Sequence, residues 1–322
     1  MKVAGALVLP AFVVAAHPSA ESSRLPRPEI SFGFHPGDDY KLATYDQSIE
    51  YFKKLDAASK YLKLVDAGTT TQGRPMYFAL ISSPDNLAHL DRYREIALRL
   101  AHPAGLSEPE ARRLAAQGKA FVHIDGGLAT EVAGPQHTPL LAYDLLSRTS
   151  EPETRAVLDN VILMLWPTIN PDGQQMVADW YMNNVGTPYE QSELPFLYQE
   201  YVGHDNNRDA YMLNMIESRV VEHAWRQWEP QVIYVHHQSG PFPTRIWLPP
   251  FSEPVGTDAP PVIAREVNMI GMAIAKGLEE RGQVGATHMG AAFDAWFGFR
   301  PEWRGQPFGT FKVLFNAVLN VH

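Results

Sequence analysis

The chain has 322 residues, a formal net charge of -9, 45% hydrophobic residues and 20% charged residues. That length can bury a large core, as one big α/β domain or two small ones, and an acidic chain without a basic run or stripe excludes a nucleic-acid-binding surface. Cysteine is absent, which excludes disulfides, a thiolate nucleophile and cysteine-ligated metal, so any metal must be held by His and carboxylates.

In chain order, Met1-Lys2 is a short positive start and Val3 to Ala16 is an apolar run interrupted only by Pro10. With small residues at Val14-Ala15-Ala16 or Pro18-Ser19-Ala20 for cleavage, residues 1–20 read as a signal peptide, which predicts a secreted or periplasmic protein. A buried first helix or strand is the alternative. No segment is long and apolar enough to act as a mature membrane anchor. Residues 21–39 are rich in Pro, Gly and Ser and predict an extended arm.

Ile49, Phe52, Leu55 and Ala58 repeat at helical spacing. Leu62 to Val65 and Met76 to Ile81 predict two strands joined by Gly68 to Pro75. Two helical segments follow, the second opening on Ser107-Glu108-Pro109-Glu110, a capping-box pattern, and stopping at Gly118. A strand over Ala120 to Ile124, a helix over Thr130 to Leu146 and an apolar strand over Val161 to Trp166 come next. Asn170-Pro171-Asp172-Gly173 has turn composition, and residues 179–207 read as a long loop. A helix over Met215 to Trp228, a strand over Val232 to Val235 and an amphipathic helix over Val262 to Glu280 complete the series. Strands alternating with helices predict an α/β fold: a single domain, residues 40–322, with a mixed, mostly parallel central sheet flanked by helices.

A catalytic zinc needs three protein ligands and one open position for water. A His and a Glu three apart, where a loop enters a helix, can meet one ion because positions i and i+3 share a helical face. Gly126-Gly127-Leu128-Ala129-Thr130-Glu131-Val132 has that architecture, except that Leu128 stands three residues before Glu131. Near Asn206-Asn207-Arg208-Asp209, the Arg208 guanidinium offers a two-pronged fork that suits a free carboxylate. His236 and His237 end a strand, and alternation sends them to opposite sides, so only one can face a shared metal.

These segments resemble, in order, motifs of the zinc carboxypeptidases. Gly68-Thr69-Thr70-Thr71-Gln72-Gly73-Arg74-Pro75 is similar to that family's entry hairpin, Gly126-Gly127 with Thr130-Glu131 to its first metal loop, and Asn170-Pro171-Asp172-Gly173 to its Asn-Pro-Asp-Gly. Asn207-Arg208 resembles the pair that grips the substrate's terminal carboxylate, and Val235-His236-His237-Gln238-Ser239-Gly240 the strand end that donates the last His. The resemblance implies a zinc-carboxypeptidase-like fold, zinc as cofactor, and hydrolysis of C-terminal peptide or amide bonds. By the same resemblance Glu131 and His237 are the metal ligands, with His236 as the alternative, and Asn207 and Arg208 bind substrate. Pro230, matched to the family's proline before this strand, favours His237. His204 reads as structural or substrate-facing.

Three departures bear on activity. The first His ligand is missing, with Leu128 in its place, and His123 or His137 would have to substitute. The family's general-base Glu has no counterpart, because Glu302 is the sole acid after Asp294 and no Tyr follows Tyr234. No Arg lies between Arg155 and Arg208, where relatives place one against the scissile carbonyl. The expectation is a C-terminally incomplete family member with doubtful zinc binding and impaired or absent hydrolysis. The alternative is a non-catalytic pseudo-peptidase that binds peptide C-termini.

Overall fold

A computed structural model describes residues 25–128, 133–199, 202–236, 246–249, 260–283 and 285–287. The expected signal peptide, Glu131, His237 and the tail from 288 onward lie outside the described residues. The fold is the expected α/β domain with a mixed central sheet flanked by helices. It falls into two compact units, Met1–Tyr198 with Ile216–His236, and Gln199–Met215 with His237–His322.

In the first unit the order is α1 (Pro28–Phe32), α2 (Tyr45–Ala58), β1 (Leu62–Thr69), β2 (Pro75–Ile81), α3 (Pro84–Ala88), α4 (Leu90–Ala101), α5 (Glu108–Gln117), β3 (Ala120–Asp125), α6 (Ala133–Ser147), α7 (Pro152–Asn160), β4 (Val161–Trp166) and α8 (Pro171–Asn184). After α9 (Asn206–Asp209), which belongs to the second unit, the chain returns with α10 (Ile216–Trp228) and β5 (Val232–Val235). The sheet order is β1-β2-β4-β3-β5. The β1–β2 and β2–β4 pairs are antiparallel, and β3 runs parallel to both β4 and β5.

Alternation along the strands explains the two cores. Phe78, Leu80, Met164 and Trp166 point to one face and pack with α4 and α10 through Tyr93, Ile96, Val221, Ala224 and Trp228. Ala79, Ile81, Leu163 and Leu165 point to the other face and meet Phe52 and Leu55 of α2, Ala142 and Leu146 of α6 and Leu158 of α7. A central strand covered on both faces must be apolar throughout, which is why β4 reads Val-Ile-Leu-Met-Leu-Trp without alternation.

Several local expectations are corrected. The arm segment carries the one-turn helix α1 and buries Leu25 and Phe32 in the α2 layer. The Ser107 side chain makes no cap bond; among the described residues a capping box is present at α2, where Thr44 and Gln47 exchange both bonds, at 3.2 and 2.9 Å. Asn-Pro-Asp-Gly starts a helix, α8, which takes up the first part of the expected long loop.

The second unit contains α9, the helix α11 (Pro261–Glu280) and a two-stranded parallel ribbon of β6 (Ile246–Trp247) and β7 (Ala286–Thr287). Gly271 of α11 lies against the backbone of Pro249, close enough that a Cβ would sit 1.8 Å from the Pro249 carbonyl oxygen.

Candidate functional site

Two of the five motifs are tied to each other. Asn170 caps α8, its side chain accepting from the Gly173 amide at 3.0 Å, and Pro171 takes the first turn, where a missing amide hydrogen costs nothing. The Asn170 side chain folds over Gly173 so closely that a Cβ there would lie 2.1 Å from Asn170 Nδ2, which explains the glycine. The remaining residue, Asp172, is 3% exposed and accepts from Thr70 Oγ1 at 3.1 Å, the Gln72 amide at 3.3 Å and Arg74 Nε at 3.3 Å. Arg74 reaches on to Asp46 of α2 at 2.8 Å. Burial raises the Asp172 carboxyl above its usual value, partly offset by its hydrogen bonds to Thr70 and Gln72 and by the Arg74 charge. The hairpin and the Asn-Pro-Asp-Gly corner therefore hold each other as one structural clasp. Asp172→Ala would leave buried donors without an acceptor, and we expect a loss of roughly 2–4 kcal/mol in urea unfolding. A change below about 0.5 kcal/mol would mean that the clasp is incidental.

The chain leaves β3, toward the segment expected to form the first metal loop, under tight control. Asp125 Oδ1 accepts from the Gly127 amide at 2.9 Å, and the Gly127 carbonyl accepts from the Ile169 amide at 3.2 Å and Thr168 Oγ1 at 3.3 Å. Asp125 Oδ2 faces His123 Nε2 at 3.1 Å, while His123 Nδ1 accepts from Trp225 Nε1 at 3.1 Å. Nδ1 must then hold the lone pair and Nε2 the proton. Both ring nitrogens of this fully buried histidine are engaged, so His123 is a strut of the core and no substitute ligand. Leu128 is 7% exposed and packs in the Phe78–Trp166–Trp228 core. Leu128, expected to stand in the place of the first histidine ligand, is thus a core residue.

Glu131 and His237 lie outside the described residues, but His236 is placed. Its Nδ1 lies 3.2 Å from the Tyr234 hydroxyl, and its ring centre lies 5.0 Å from that of His137 on α6, with 31° between the planes. Strand alternation explains the Tyr234–His236 pairing, since positions i and i+2 share a side. The His137 imidazole is held below its ordinary value, chiefly by desolvation and then by His236, with a hydrogen bond to the Gly134 backbone opposing. This His137–His236 approach spans 99 positions of sequence, and the β3–β5 pairing creates it. Among the described residues no three His, Asp or Glu side chains converge on one point. Two imidazoles fall short of the three protein ligands of a catalytic zinc, so the described donor set does not fit that ion and no chemical step is routed through it.

In the second unit, Asn207 and Arg208 sit on α9, capped by Asp205, whose side chain accepts from the Arg208 amide at 3.1 Å. Asp209, completely buried, accepts from the amides of Asn214 at 3.1 Å and Met215 at 2.9 Å and faces His204 Nε2 at 2.8 Å. His204 Nδ1 lies 3.1 Å from the Val202 carbonyl, so His204 is a structural brace of the turn, one of the two roles its position suggested. Arg208 is exposed, and the side-chain Oδ1 of Asn207 is buried without a hydrogen-bond partner.

The zinc carboxypeptidase family model matches residues 49–234, more than half of the chain. The structure is similar to that of thrombin activatable fibrinolysis inhibitor, with a TM-score of 0.50 and 12% identity over 83% of this chain and 63% of that one. It is similar to the bovine form of that protein in complex with tick carboxypeptidase inhibitor, with a TM-score of 0.50 and 12% identity over 85% of this chain and 84% of that one. Carboxypeptidase A from Helicoverpa armigera gives a TM-score of 0.49 and 14% identity over 79% of this chain and 60% of that one. The chain thus spans less than two thirds of the first and third of these structures. At such identities the likeness is one of fold. No curated protein sequence matches the chain. With the match running from α2 through β5, the chain belongs to the zinc carboxypeptidase family.

Proposed function

We propose that this chain carries the scaffold of a zinc metallocarboxypeptidase, an enzyme of C-terminal peptide or amide bond hydrolysis, and that its own hydrolytic activity is impaired or absent. The observation that carries this reading is Leu128, which fills a core position where the family places its first histidine ligand. Glu131 and His237 are the family ligands that remain in the sequence. The apolar N-terminal run supports export, and no described helix is long and apolar enough to cross a membrane. The test of activity is hydrolysis of a set of C-terminal peptide substrates with zinc supplied. Turnover at rates typical of enzymes, roughly 1 per second or faster, would overturn the reading.

A second reading, a pseudo-peptidase that holds peptide C-termini, draws on Asn207 and Arg208. The partnerless Asn207 amide oxygen and the exposed Arg208 guanidinium suit a ligand that brings both a donor and a carboxylate. Arg208→Ala is expected to weaken binding of a free-acid peptide about 10- to 100-fold, the worth of a charged hydrogen-bonded pair. C-terminal amidation of the peptide should cost a similar factor. Equal affinity for acid and amide would remove the carboxylate grip from consideration.

A further inference from the structure

Helix α11 buries its small residues and exposes its large ones. Gly271 and Ala275 are its buried positions, and Gly271 lies against the backbone of Pro249. Val262, Ile263, Val267, Met269, Ile270 and Met272, by contrast, are between 38% and 71% exposed. Other long helices of the chain do the opposite: α2 buries Tyr51, Phe52 and Leu55, and α10 buries Val221 and Trp228. From Val267 to Ala275, moreover, α11 carries no charged residue, whereas a helix face meant for water ordinarily does.

Ile263, Val267 and Ile270 fall in one row with the half-buried Ile274, at spacings of four, three and four. Such a row is how two helices interlock along their length. Every member is β-branched, so little rotamer freedom remains to be lost when the row is covered. The six exposed side chains leave roughly 500 Å² of apolar surface in water, near the top of what a monomer shows in one patch. Two such patches facing each other would remove roughly 1,000 Å² from water, the size at which an interface becomes specific. A lipid surface fits less well, because no Lys or Arg lies between Arg265 and Lys276 to meet anionic headgroups.

We propose that the exposed row of α11 is a dimerisation surface, and that its occupant is the same row of a second copy of this chain. A two-fold axis makes the contact self-complementary, with the same residues serving on both sides. An area at the lower limit implies a weak dimer, with a dissociation constant on the order of 10 µM.

The test is sedimentation velocity of the full chain over a range of concentrations, in which monomer and dimer should exchange. Ile270→Glu should weaken association at least ~100-fold, because each copy then brings a carboxylate into the covered row. Ile30→Glu, at an exposed position of α1, should leave the constant unchanged. Far-UV circular dichroism establishes that both variants are folded. The chain has no cysteine, so Val267→Cys adds a single thiol, and a short bismaleimide should join two chains through it. A full chain that stays monomeric at ~1 mM, or a dimer that Ile270→Glu leaves unweakened, would overturn the proposal. For a monomer, the thiol at position 267 then tells which other occupant is right: slow maleimide labelling means that the chain's own residues cover the row, and fast labelling means a partner of another kind. The readout is association and not turnover, so either result leaves the inactive-scaffold reading where it stands.

Discussion

Gly126→Ala is expected to destabilise the protein by about 3–5 kcal/mol, in the tail of single-substitution effects. A Cβ at Gly126 would lie 2.1 Å from the Pro167 carbonyl oxygen, 3.0 Å from Thr138 Cγ2 and 3.1 Å from Pro135 Cα. Two of these three are backbone atoms, from the segment after β4 and from the first turn of α6, so no rotamer change relieves the clash. The strand end must withdraw, and the Gly126 amide then loses its 3.1 Å bond to the Trp166 carbonyl. Gly277→Ala is the contrasting control. It lies inside α11, its nearest neighbour is the tip of the Arg281 side chain at 3.3 Å, and alanine there should stabilise that helix by about 0.5–1 kcal/mol. Thermal unfolding compares the two. An equal, small change in both would show that the β3–α6 approach is looser than the geometry indicates.

That close approach was partly legible in the sequence. Gly126-Gly127 after an apolar strand announces a turn, and strands β1 to β5 announce themselves by apolar runs bounded by Gly, Pro or polar residues. What the chain concealed were features with two local readings. Asn-Pro-Asp-Gly is turn composition, but it is equally an N-cap, a proline in the first turn, a buried acceptor and a glycine under the cap. Only the partners of Asp172, about 100 positions away in Thr70 and Arg74, decide between them. Ser107 has the letters of a capping box and does not use them, whereas Thr44 does. The short helices α1, α3, α7 and α9 are too brief for a periodic signal. His137 and His236 meet because β5 joins β3 from a distant part of the chain, and spacing along the sequence carries no trace of that. The sequence reads Leu128 as standing where the family places its first histidine, an expectation carried into the proposal above. Its second meaning, a core contact, needed the packed structure.

That second meaning separates two repairs that look alike on paper. Leu128→His restores the letter but removes a buried leucine from the Phe78–Trp166–Trp228 core and puts a polar ring there, and should cost about 2–5 kcal/mol without creating a site. Inserting a histidine between Leu128 and Ala129 leaves the leucine in the core and sets the new ring three residues before Glu131. The inserted chain should bind zinc at least ~10²-fold more tightly than the parent, since one more tethered ligand joins the ion. Zinc titration of the parent and the inserted chain measures this directly. If the insertion leaves zinc affinity at the parent level, the loop after β3 does not have the family's register and Leu128 marks no lost ligand. If affinity rises while hydrolysis stays absent, restoring the metal alone does not restore turnover, because hydrolysis also needs a base to activate the attacking water.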